Sequence, residues 1–167
     1  MSCINRHIIS ALVENQHGVL AKVAGLFAAR GFNIESLTVG PTEDTTISRM
    51  TIGLLADDDT LEQVIKQLRR VPTTVKVQDF FDTPTIQREL VLIRVQAAES
   101  ARRLEVMEIV NVFNGKVVDL TPKDLSAEFT GSEQKIQALI ECLRPFGIKE
   151  LARSGKVALA RSPIALR

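Results

Sequence analysis

His7 and His17 are the chain's two histidines, and Cys3 and Cys142 are its two cysteines. His7 opens a strand with no cysteine or acid at ligand spacing, which favours a surface or strand-edge role over metal binding. His17 lies in a loop at a helix start, where it either contacts a ligand or faces solvent. The cysteines stand too far apart for a disulfide framework or a zinc site. Asp57-Asp58-Asp59 is the densest acid run. Its carboxylates suit Mg²⁺ or Ca²⁺, and they equally suit a solvated turn that favours the positive end of the next helix. No Gly-x-Ser-x-Gly elbow, Walker loop, His-Glu-x-x-His pair or Gly-x-Gly-x-x-Gly occurs in the sequence. Catalysis needs a nucleophile or base with a partner, and no such pairing is legible. The expectation is no catalytic residue and no metal site.

The stretch Glu14-Asn15-Gln16-His17-Gly18-Val19-Leu20 carries more chemistry. It runs from a strand straight into a helix, whose leading N–H groups lack intrahelical partners and carry the positive end of the dipole. A small carboxylate could be held by the N–H groups of Gly18, Val19 and Leu20. Gly18 has no Cβ to keep a ligand from the backbone. Asn15 offers an amide donor and a carbonyl acceptor beside the same place. The plainer alternative is that Asn15 caps the helix and Gly18 only lets the turn form.

Periodicity supplies the elements that must position this loop. Val19, Leu20, Val23, Leu26 and Phe27 make one helical stripe ended by Gly31; Leu61, Val64, Ile65 and Leu68 make a second. Asp59 with Glu62, or Thr60 with Gln63, reads as the second helix's capping box. Val106, Ile109, Val110 and Phe113 form a third stripe closed by Gly115, and Ile136, Leu139, Ile140 and Leu143 a fourth, opened by Ser132 and broken before Pro145. Strands are predicted over 8–13, 32–39, 47–55, 74–81 (with Val75 and Val77 inward), 90–95, 116–120, 125–130 and 148–152. Residues 157–160 read as a further short strand or a tail.

Each half is therefore β-α-β-β-α-β. The fold class is α+β: two ferredoxin-like βαββαβ domains in tandem, residues 1–82 and 86–167, meeting at a polar, Pro-containing step. Local echoes, such as Gly31 to Thr38 against Phe113 to Thr121, make a weak internal repeat.

Twenty-one Lys and Arg against 20 Asp and Glu give a net charge of +1, which argues against a broad basic field for nucleic acid. An RNA-reading ferredoxin-like sheet would carry aromatics on its central strands, and 47–55 has none. No apolar run approaches the roughly 20 residues that span a bilayer, and residues 1–6 lack a signal peptide's plan. The expectation is a soluble, reduced, cytoplasmic protein with no nucleic-acid or membrane partner.

Asn15-x-x-Gly18-Val19-Leu20 followed by Gly31-Phe32-Asn33-Ile34-Glu35-Ser36-Leu37 resembles the ACT domain, a small module that binds amino acids. The longer strings are similar to the family of small, regulatory subunits of acetolactate synthase (acetohydroxyacid synthase). These are Gly25-Leu26-Phe27, Arg30 to Val39 and Ser48-Arg49-Met50-Thr51-Ile52, with Arg88-Glu89-Leu90 and Ala152-Arg153-Ser154-Gly155 in the second half. The resemblance implies a non-catalytic regulatory subunit of branched-chain amino acid biosynthesis. Its partner would be a separate catalytic large subunit, which it activates and renders sensitive to valine or another branched-chain amino acid. Thiamine diphosphate, Mg and FAD would belong to that catalytic chain, and this chain would hold no cofactor. The effector would lie between two copies of a homodimer: Asn15, His17, Gly18, Val19 and Leu20 from one, Asn33 and Ile34 from the other. His17, Ala21 and Gly40 depart from the residues commonest in the family at those places. An ACT-type sensor serving a different enzyme or regulator is the alternative.

Overall fold

The computed structural model describes residues 4–161. The chain divides into two compact units, one reaching to Ile86 and taking up the chain again from Lys156, the other spanning Gln87–Gly155. The division thus departs from a second domain running over 86–167, because the described residues from Lys156 onward group with the first unit.

In the first unit the elements are β1 (Asn5–Glu14), α1 (Val19–Ala29), β2 (Ile34–Pro41), β3 (Ile47–Ala56), α2 (Asp58–Arg70) and β4 (Thr74–Asp79). Their sheet has the order β2-β3-β1-β4, with antiparallel neighbours. Alternation along β3 turns Met50, Ile52 and Leu54 inward, where they meet Ile9, Ala11 and Val13 of β1. Val19, Val23 and Phe27 of α1 and Leu61, Val64 and Leu68 of α2 complete the same core. These are the i, i+3 and i+4 spacings that gather one helical face. On the other side of β1, Ile8 packs with Phe80 and Ala158.

Two local expectations for this unit need correction. The cap of α2 is Asp57, whose Oδ1 accepts the Thr60 N–H at 2.9 Å; Asp58 and Asp59 then occupy the first turn, at the positive end of the dipole. Val75 is exposed rather than inward, while Val77 is buried. The β1–β4 register shifts between Leu12 and Val13, so that Lys76 pairs with Leu12 and Thr74 with Val13. Val75 is left as the extra residue of a bulge, which breaks the alternation.

The second unit repeats the plan with β5 (Thr85–Gln96), α3 (Ser100–Val112), β6 (Lys116–Leu120), β7 (Asp124–Gly131), α4 (Glu133–Leu143) and β8 (Ile148–Ala160), β5 belonging to it from Gln87 and β8 as far as Gly155. Its sheet order is β6-β7-β5-β8. Val91, Ile93 and Val95 alternate inward against Val106 and Val110 of α3 and Ile136, Leu139 and Leu143 of α4. Ser132 caps α4 by accepting the Lys135 N–H. At the end of α3 the positive φ belongs to Asn114, at 55°, rather than to Gly115. Gly115 answers a different need: a Cβ there would run into the Phe129 ring. The expected strand 148–152 and the further short strand or tail at 157–160 are one strand, β8, which continues through Gly155 at φ +82°.

Candidate effector site

The loop from Glu14 to α1 is held by backbone geometry and by the neighbouring β2–β3 hairpin. The Asn15 N–H donates to the Thr46 carbonyl at 2.7 Å, and Asn15 Nδ2 donates to the Thr45 carbonyl at 2.9 Å. Asn15 is therefore a tether, not the helix cap. Gly18 occupies the cap position at φ +80°, ψ −2°, with no side-chain hydrogen bond to the helix start and no acid in the first turn. Space for a Cβ on Gly18 is open. The glycine is thus called for by its left-handed backbone, and its exposed face leaves room for a ligand at the helix start.

The hairpin that receives Asn15 was not among the residues singled out in the sequence. Asp44 Oδ1 accepts the Thr46 N–H at 2.9 Å and its hydroxyl at 2.6 Å, while Thr42 Oγ1 donates to the Asp44 carbonyl. The Thr46 hydroxyl, and then its amide, hold the Asp44 carboxyl below its ordinary value of 3.8. The pattern Thr42-x-Asp44-x-Thr46 is the signal that could have revealed this turn, since Asp and Thr close turns by bonding backbone two residues on.

The remaining expected residues separate into two groups. His17, Gly18 and Leu20 are exposed together at the start of α1, whereas Val19 is buried in the core and its N–H donates to the Gln16 carbonyl at 3.5 Å. Asn33 is exposed and Ile34 half-buried at the entry to β2. Ile34 pairs with Leu54, while Glu14 pairs with Ile47 at the other end of β3. About seven residues of strand, roughly 23 Å, lie between those ends. Within one chain the two groups are at opposite ends of the sheet. β2 is an edge strand, and the outer side of α1 presents exposed small residues, Ala21, Ala24, Gly25 and Ala28.

Elsewhere, His7 is buried rather than at a surface: Nε2 donates to the Ala56 carbonyl at 3.2 Å and the ring lies 4.7 Å from Phe81. Its position in β1, paired with Leu54, carries it under that cover. Among the described residues no group of three or more His, Cys, Asp or Glu could hold a metal ion, and no helix is long and apolar enough to cross a membrane. In the second unit Glu89 is buried, and Arg153 grips both its oxygens at 2.6 and 2.7 Å. That bond, more than the nearby charge, raises the Arg153 guanidinium above its usual value against the burial that lowers it.

The first unit is thus a βαββαβ domain whose glycine-opened helix follows directly on its first strand. Residues 9–76 match the ACT domain of the acetohydroxyacid synthase small-subunit type, and residues 88–162 match the family described as the small subunit of acetolactate synthase. The acetolactate synthase small subunit of Aquifex aeolicus is 52% identical over 95% of this chain and 82% of its own length. The probable small subunit of Methanothermobacter thermautotrophicus is 50% identical over 93% of this chain and 92% of its own. The crystal structure of the small subunit from Thermotoga maritima, 38% identical, superposes with a TM-score of 0.86 over 96% of this chain and all of that one. The chain belongs to the family of acetolactate synthase small, regulatory subunits.

Proposed function

We propose that this chain raises the activity of a separate thiamine-diphosphate-dependent catalytic subunit and makes it sensitive to feedback by valine. On this reading it serves branched-chain amino acid biosynthesis in the cytoplasm without catalysing a reaction itself. The observation that carries the proposal is the open start of α1 at Gly18, with no side chain capping it and no acid in its first turn. A zwitterion needs donors for its carboxylate, oxygens for its ammonium, and an apolar wall for its side chain. The N–H groups from Gly18 to Leu20 answer the first need. The Asn33 amide oxygen answers the second, and Leu20 with Ile34 answers the third.

Because those groups lie at opposite ends of one sheet, the effector site is completed by a second copy. One protomer contributes Asn15, His17, Gly18, Val19 and Leu20, and its partner Asn33 and Ile34. An effector bound across that boundary favours whichever arrangement closes both halves, so binding is linked to the state of the dimer. A coupling of about 1–3 kcal/mol between effector and catalytic state corresponds to roughly 5- to 150-fold in affinity or activity. Valine and isoleucine differ by one methylene, worth on the order of 1 kcal/mol, so their discrimination is modest.

Mixing two defective proteins tests the shared site. Gly18→Asp spoils one half and Asn33→Ala the other, so each homodimer loses valine binding by calorimetry. A mixed dimer regenerates one intact site and recovers binding at half the stoichiometry. No recovery from dimers proven to have exchanged protomers would place both halves within one chain and contradict the proposal.

A further inference from the structure

In the second unit, α3 carries two apolar faces rather than one. Val106 and Val110 point into the core, yet Leu104 and Val112 on the same helix are 68% and 71% exposed. A groove of about 390 Å³ runs along α3, lined by Ile109, Val112, Phe113 and Phe146 together with Glu105 and Glu108. The α3 residues that line it recur at three- and four-residue spacing, so the groove follows a helical stripe. Neither Glu105 nor Glu108 has an ion-pair or hydrogen-bond partner among the described residues. The last turn of α3 has no basic residue to offset the negative end of its dipole. One cation nearby, Arg102, is already committed, donating to the Pro145 carbonyl at 3.1 Å and lying 5.7 Å over the Phe146 ring.

We infer that this groove is the seat for an amphipathic basic segment of the catalytic subunit, with apolar side chains entering between Ile109 and Phe146 and Lys or Arg residues meeting Glu105 and Glu108. The inference rests on the regulatory reading above and names one contact surface for it. An apolar stripe bordered by uncompensated carboxylates selects against acidic and against wholly apolar partners, since either leaves charge desolvated and unpaired. Contiguous exposed apolar surface with a polar rim is the usual mark of an interaction site.

Cys142 lines the groove and is a free, exposed thiol, which makes its alkylation a direct report of occupancy. In a Cys3→Ser background, the maleimide reaction of Cys142 is expected to slow at least fivefold when saturating catalytic subunit is added. Glu105→Lys with Glu108→Lys should raise the concentration of this chain needed for half-maximal stimulation at least tenfold. Glu105→Gln with Glu108→Gln should have a smaller effect, and all should keep the dimer and its thermal midpoint. Unprotected Cys142 under full stimulation, or an unchanged half-maximal concentration in the charge-reversed protein, overturns the inference. Protection that grows with the concentration of this chain alone assigns the groove to a second copy and overturns it too. If the unsubstituted chain neither stimulates nor co-purifies with the catalytic subunit, the regulatory reading itself fails, and the inference falls with it.

Discussion

Asn15 of the first loop is bonded to the backbone of Thr45 in the β2–β3 hairpin, Nδ2 to carbonyl oxygen at 2.9 Å. One side chain thereby fastens the loop leading into α1 to a turn that lies thirty residues further along the chain. The contact is exposed and neutral, so its worth to stability is at the low end of about 0.5–1.5 kcal/mol. Its larger consequence is positional, because it sets the approach of the loop to Gly18.

Asn15→Ala should therefore lower the thermal midpoint by only a few degrees while weakening inhibition by valine several-fold. Melting curves and inhibition curves measured on the same preparation separate the two. Equal and small effects on both would mean that the tether is merely structural.

Gly18 divides two effects that a single substitution usually confounds. Gly18→Ala meets open space but must adopt a positive φ, at a cost of about 1–2 kcal/mol. Gly18→Asp meets the same strain and adds a negative charge where the proposed effector's carboxylate would sit. Feedback should be lost in the Asp variant and largely kept in the Ala variant, with stimulation of the catalytic subunit kept in both. Full valine sensitivity in the Asp variant would remove the helix start from the effector site.

Much of this geometry was legible in advance because it follows from short-range pattern. The stripes of α2 and α4, that of α1 except for Leu20, which is exposed, the alternation of β3, and the loop from Asn15 to Leu20 all rest on spacing within a few residues. What escaped depended on partners distant in sequence. Val75 fits an inward alternation until the bulge opposite Leu12 and Val13 displaces it. His7 reads as an edge residue until Ala56 and Phe81 cover it. Asn15 reads as a cap because nothing local announces that Thr45 will take its amide. Gly115 reads as a helix stop, yet the left-handed residue is Asn114 and the glycine makes room for Phe129.

The Glu89–Arg153 pair spans β5 and β8 with two short hydrogen bonds, the Glu89 side chain buried and the Arg153 side chain 38% exposed. Arg153→Ala leaves a buried carboxylate without its partner. Allowing for solvent screening of the arginine, the loss should be about 1–3 kcal/mol. Replacing both residues by leucine should recover part of that loss. Chemical denaturation of the three proteins checks the order; a single variant as stable as the parent would mean the pair contributes nothing.

Asp44 gives the hairpin a pH signature. Its carboxyl is held below the ordinary 3.8 by the Thr46 hydroxyl and amide. A depressed carboxylate stabilises the fold above its unfolded-state value, and that contribution disappears as the pH falls through the lower folded-state value. In an NMR titration the Thr46 amide resonance should therefore move with a midpoint below 3.8, and Asp44→Asn should abolish the movement. A midpoint at or above 3.8 would contradict the hydrogen bonds that define the turn.

The most direct test of the regulatory role is acetolactate formation from pyruvate by the purified catalytic subunit of the same organism, with and without this chain, across a valine titration. A clear rise in rate on adding the chain, reversed by valine at constant chain concentration, is the predicted result. An unchanged rate, with no association between the two purified proteins, would contradict it.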